Sequence, residues 1–179
     1  SVNTFVVDTT APSLSQATAV TSPTNSTTPG YAFSSDEAGT ISYGSSCSSG
    51  TTSASSGNNS ISLLDSDNNT LSEGNYPNCT ITVTDAAGNA SSALSVSTFV
   101  VDRTAPIVSS VSSSTSNGSY KLNDNITVTV TFNDNVTVDN SSGNPRIQLE
   151  TGTNDRYANY VSGNSINILS FLYTVQSGD

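Results

Sequence analysis

The chain has 179 residues and a net charge of −10, from 14 acidic and 4 basic side chains, with no His, Met or Trp. Only Arg103, Lys121, Arg146 and Arg156 are cationic, which excludes a basic nucleic-acid surface. The lack of imidazole excludes a His-built metal site and a His-dependent triad, and no apolar run approaches the ~20 residues of a membrane helix.

Ser and Thr together number 61 and Asn 20, a composition that borders on disorder. The apolar residues are not scattered, however. They fall in short runs of β-branched and aromatic types that alternate with polar ones, separated by Gly, Asn, Asp and Ser clusters. In chain order the predicted strands are Leu14–Ala19, Gly30–Ser35, Gly39–Gly44, a short one near Thr51–Ser56, Ser60–Leu64, Cys79–Thr84 and Ala93–Val101. Asp85-Ala86-Ala87-Gly88-Asn89 is expected to join the last two as a tight hairpin. Further on come Ile107–Ser112, Ile126–Phe132, Arg146–Glu150, Tyr157–Val161 and Ile166–Val175. No window holds a helical period, so the fold class is all-β.

The strongest signal is internal. Thr4-Phe5-Val6-Val7-Asp8-Thr9-Thr10-Ala11-Pro12 returns as Thr98-Phe99-Val100-Val101-Asp102-Arg103-Thr104-Ala105-Pro106, an offset of 94 residues with eight of nine positions identical. That offset matches one small β-sandwich. Phe-Val-Val reads as a strand end. Asp-x-Thr-Ala-Pro reads as a stiff junction, because Pro stops a ladder and holds the residue before it extended. The expected boundaries follow. Residues 1–12 are the last strand of a preceding repeat plus a linker, 13–102 a complete domain, 103–106 a linker, and 107–179 the N-terminal part of a second domain. The missing starter Met and the stop at Gln176-Ser177-Gly178-Asp179 read as a segment of a longer protein.

Several stretches carry a resemblance. Glu37-Ala38-Gly39-Thr40-Ile41, Cys47, and Tyr76 through Cys79-Thr80-Ile81-Thr82-Val83-Thr84-Asp85-Ala86-Ala87-Gly88-Asn89 resemble bacterial Ig-like repeats of large secreted adhesins, and the Phe-Val-Val-Asp-x-Thr-Ala-Pro junction is similar to theirs. Asn117-Gly118-Ser119-Tyr120, Ile126–Phe132, Ile147–Gly152, Tyr160–Gly163 and Leu169–Asp179 resemble a second Ig-like repeat type of the same proteins. The resemblance implies tandem Ig-like β-sandwiches in an extracellular or cell-surface protein, with neighbouring repeats as partners and a structural, non-enzymatic role. It also implies that the second sandwich lacks its closing strands, either because the segment stops short or because another chain supplies them by strand addition. Tyr76 is a candidate tyrosine corner, its hydroxyl bonded to backbone.

Cys47 and Cys79 are the only cysteines, and two thiolates alone cannot close a zinc site. Cys47 follows a predicted strand and Cys79 opens one, so a disulfide is expected, against the alternative of two buried thiols. At one end of an Ig-like sandwich the linker, the second-to-third strand loop and the last hairpin would gather Asp8, Asp36, Glu37, Asp85 and Asn89. Residues 1–102 hold no Lys or Arg to neutralise them. Ca²⁺ at the domain junctions would relieve that repulsion, with Asp102 and Asp134 as the second set. The alternative is solvated turn residues bonded to their own backbone. Asp65-Ser66-Asp67-Asn68-Asn69 lacks the Gly and distal Glu of an EF-hand and reads as a turn. Two rival functions remain: a module binding a glycan or receptor, with Tyr157 and Tyr160 as the best aromatic platform, and a self-assembling filament subunit.

Overall fold

A computed structural model describes residues 5–179. Among these there is no helix; 46% of the chain is strand, in several antiparallel sheets of which one curls into a half-barrel. The backbone separates into two compact units, one running to Arg103 and the other from Thr104 to Asp179.

Unit 1 contains β1 (Leu14–Thr18), β2 (Gly30–Ser35), β3 (Gly39–Gly44), β4 (Ser53–Ala54), β5 (Gly57–Ser62), β6 (Gly74–Tyr76), β7 (Thr80–Thr84), β8 (Leu94–Ser95) and β9 (Phe99–Val101). They form three sheets, ordered β1-β2-β5, β4-β3-β7-β8 and β6-β9. Alternation decides which side chains go inward. In β2 these are Tyr31, Phe33 and Ser35; in β7, Ile81 and Val83. Inward residues of all three sheets meet in one core, with Phe33, Leu63, Ile81, Val83, Phe99 and Val101 fully buried.

Beyond shifts in strand bounds, such as Gly57–Ser62 for the expected Ser60–Leu64, unit 1 departs from the expected strands in two places. Ala93–Val101 is not one strand: Leu94–Ser95 pairs with β7, whereas Phe99–Val101 pairs with β6. Val96 and Phe99 are both buried although three residues apart, which one straight strand cannot achieve. The chain changes sheets there, and the crossing is held by Ser97, whose N–H and hydroxyl both donate to Gln16 Oε1 at 3.2 and 3.0 Å. The second difference is β6, a three-residue strand absent from the reading. Its Tyr76 stacks on Phe99 with ring centres 5.2 Å apart and donates its hydroxyl to Ser72 O at 2.8 Å, the backbone bond expected of it. Residues 1–4, part of the expected strand of a preceding repeat, lie outside the described residues. Phe5, Val6 and Val7 are in no strand and are 81%, 88% and 75% exposed.

Unit 2 contains β10 (Val108–Ser113), β11 (Asn125–Val136), β12 (Arg146–Leu149), β13 (Arg156–Ser162) and β14 (Ile166–Thr174), all in one sheet ordered β10-β11-β14-β13-β12. Val130, Ala158, Leu169, Phe171 and Tyr173 are its buried residues.

Candidate functional site

One end of unit 1 is built from three short turns. The β7–β8 turn is closed on itself: Asp85 N donates to Asn89 O at 3.1 Å, and Gly88 N donates to Asp85 O at 3.3 Å. The Asp85 carboxylate accepts from Asn89 twice, from N to Oδ1 and from Nδ2 to Oδ2, each at 2.8 Å. Gly88 sits at φ +93°, the left-handed geometry this turn requires. Asp65–Asn69 folds the same way, with Asn68 at φ +62° in the place of Gly88 and Asp65 Oδ1 accepting from Asp67 N and Asn69 N at 2.9 and 2.7 Å. That carboxylate oxygen is spent on closing its own turn.

The β2–β3 turn presents Asp36 and Glu37 in opposite roles. Asp36 Oδ1 accepts from Ser13 N at 2.7 Å, and Asp36 N donates back to Ser13 O at 3.3 Å. Buried Ser35 donates its hydroxyl to Glu37 O at 2.6 Å and fixes the turn. Gly39 lets β3 approach β7 closely; a Cβ there would overlap Thr84 O and Val83 Cγ1. The third turn precedes β1. Asp8 Oδ1 accepts from Thr10 N at 3.0 Å, and Asp8 O accepts from Asn89 Nδ2 at 3.2 Å.

These turns bring one carboxylate oxygen each of Asp8, Glu37 and Asp85 within 4.8 Å of one another. Asp8 is exposed and the other two half-buried. Desolvation, then the charges of Asp8, Asp36 and Asp85, push the Glu37 carboxyl above its ordinary range. Asp85 moves the other way: the Asn89 side-chain amide, helped by backbone N–H groups of its own turn, holds it below the ordinary range. Two Ca–O bonds of ~2.4 Å span about 4.8 Å, so oxygens at this spacing can share one such ion.

The remaining sequence candidates do not add an oxygen to this group. Asp36 is turned to Ser13, and Asn89 contributes amide hydrogens rather than its oxygen. Asp102, in unit 1, donates its N–H to Thr24 O at 2.9 Å. Asp134, in unit 2, accepts from Asn135 N at 2.7 Å. Beside it, Asn133 Oδ1 accepts from Ile107 N at 2.7 Å while Asn133 N donates to Ile107 O at 3.0 Å. Ser35 and Gly39 position Glu37, and the sequence reading did not single them out for this. The available signal was their place at the two ends of the Ser35–Gly39 turn, next to β-strand alternation.

Cys47 and Cys79 form a disulfide, Cα atoms 5.3 Å apart. It joins the ends of two paired strands, since Gly44 of β3 lies opposite Thr80 of β7. A disulfide points to an oxidising compartment. Tyr157 and Tyr160 do not make a shared platform. Tyr157 lies opposite Gln148 with the Arg146 guanidinium 4.0 Å over its ring, while Tyr160 packs edge-on against Phe171. Three residues apart on one strand, they face opposite sides. A solvent-open cleft of about 450 Å³ beside Gly30, Ser49, Thr51, Ser60 and Leu64 has no titratable group in its lining. No helix among the described residues is long and apolar enough to cross a membrane. No family model, characterised protein or solved structure matches the chain.

Proposed function

We propose that the chain is a load-bearing spacer: Ig-like β-sandwich repeats of an extracellular adhesin or surface filament, stiffened at their junctions by Ca²⁺. The observation that carries this reading is the recurrence of one entry device after each Ala-Pro. Ser13 is held by reciprocal bonds to Asp36, and Ile107 by reciprocal bonds to Asn133. The same junction sequence therefore enters each unit by the same anchorage, as a repeated structural module requires. The strand orders β1-β2-β5 and β4-β3-β7-β8 around one core support an Ig-like sandwich for unit 1. The disulfide supports an extracellular site of action.

In this reading Asp8, Glu37 and Asp85 are the Ca²⁺ ligands, and Asp8 is the one carried by the linker. Binding would tie the linker to the β2–β3 and β7–β8 turns. Small-angle scattering tests it: an extended particle whose maximum dimension grows, or whose flexibility falls, when Ca²⁺ replaces chelator supports the spacer. A compact globule indifferent to Ca²⁺ counts against it.

A further inference from the structure

We propose that the seat of β9 in unit 1 recognises the Phe-Val-Val-Asp strand as such, and that Phe5–Asp8 of a second copy of this chain is its alternative occupant. This goes beyond the spacer reading and does not depend on Ca²⁺.

The structure shows the seat filled. On one edge β9 pairs antiparallel with β6, Tyr76 opposite Phe99, Asn75 opposite Val100 and Gly74 opposite Val101. On the other edge Val100 N donates to Ser22 Oγ at 3.0 Å, Thr24 N donates to Val100 O at 2.9 Å, and Asp102 N donates to Thr24 O at 2.9 Å. Phe99 and Val101 are fully buried, and Phe99 stacks on Tyr76. The seat thus reads backbone groups along both edges and two apolar side chains from one face.

The chain carries that ligand twice. Thr4-Phe5-Val6-Val7-Asp8 is identical to Thr98-Phe99-Val100-Val101-Asp102. Among the described residues this second version belongs to no strand, and Phe5, Val6 and Val7 are 81%, 88% and 75% exposed. Each contact described for β9 is made by a backbone group or a side chain that Phe5–Asp8 also has, so the seat has no means of telling the two apart. What decides between them is tethering. β9 begins four residues after Ser95, the end of β8, and a short tether gives an effective concentration on the order of millimolar. The chain's own strand therefore holds the seat at micromolar protein, and the second copy takes it once the tethered strand is weakened.

The test uses the full chain carrying F99A, and a synthetic peptide of residues 4–12. The expected result is that the F99A chain gains melting temperature with the logarithm of peptide concentration, while a peptide with Phe5→Ala gives no gain. In sedimentation the F99A chain, with Phe5 intact, associates at tens of micromolar, and the F5A/F99A chain does not. A melting temperature indifferent to the peptide, equal gains from both peptides, or equal masses of F99A and F5A/F99A overturn the proposal. V101A, which removes two methyl groups from the same seat, serves in the same comparisons should F99A fail to fold.

Discussion

Ser13 and Asp36 hold each other twice, Ser13 N donating to Asp36 Oδ1 at 2.7 Å and Asp36 N donating to Ser13 O at 3.3 Å. In unit 2 Asn133 makes the same pair of bonds with Ile107. The acceptor oxygen is what the two share; the negative charge is not. D36N is therefore expected to stay within about 0.5 kcal/mol of the parent, while D36A, which hands the exposed Ser13 N–H to water, costs about 1 kcal/mol, the net worth of one hydrogen bond. Urea denaturation of the three proteins measures both differences.

The disulfide closes a loop between residues 32 apart. Chain entropy assigns a cross-link of that length about 3–4 kcal/mol. C47A/C79A is expected to lose that much stability in unit 1, and reduction of the parent to lose a similar amount. Equal urea midpoints with and without reductant would show that the bond contributes nothing.

Glu37 and Asp85 give pH effects of opposite sign. Asp85 is held below its ordinary range, so its contribution is complete above the unfolded value and is lost as pH falls through the lowered folded value. Glu37 is raised, chiefly by desolvation and then by its acidic neighbours, so the folded state binds the extra proton. Its contribution favours folding at low pH and fades as pH rises through the raised value, leaving a standing repulsion at neutral pH. E37Q is expected to be more stable than the parent in chelator at pH 7 and less stable than the parent in Ca²⁺. In the parent, Ca²⁺ affinity should fall as pH is lowered through the Glu37 titration. Melting curves across pH, with and without Ca²⁺, read all three effects.

Tyr31 is 2% exposed, and its hydroxyl is buried with no hydrogen-bond partner among the described residues. A buried donor without an acceptor is a net cost. Y31F keeps the ring in the core and is expected to leave stability unchanged or raise it by about 1 kcal/mol, as urea denaturation would show. A loss above that size would mean the hydroxyl has a partner in solution.

Gly39 places β3 against the Thr84 carbonyl and Val83, and no Cβ fits there. G39A is expected to cost about 1–3 kcal/mol by overpacking. Because Glu37 lies two residues before it, the same change should weaken the Ca²⁺-dependent rise in melting temperature more than a core substitution of equal cost, such as I61V or V96A, does.

What could be read from the sequence was whatever repeats with period two or recurs in the chain. β2, β3 and β7 alternate cleanly, and their positions follow. β6 is Gly-Asn-Tyr, without periodicity, and is a strand only because Phe99–Val101, more than twenty residues later, pairs with it. The break at Val96–Thr98 hides inside a stretch of mixed apolar and Ser/Thr residues, because what divides it is the sheet each half joins. At the acidic end, the gathering of Asp8, Glu37 and Asp85 follows from three turns lying at one end of unit 1. That Asp36 faces away does not follow: adjacent residues point in opposite directions, and which one joins the cluster is set by the Ser35 hydroxyl and the Ser13 N–H, contacts that have no sequence pattern.

The central claim is that these units carry load, and pulling on single molecules tests it most directly. The prediction is a discrete force peak for unit 1. In the oxidised chain its contour gain should fall short by the closed loop, about 110 Å for 32 residues at ~3.4 Å each, and reduction should restore the full length. Smooth extension at low force without a peak, or a contour gain that reduction leaves unchanged, would contradict the account.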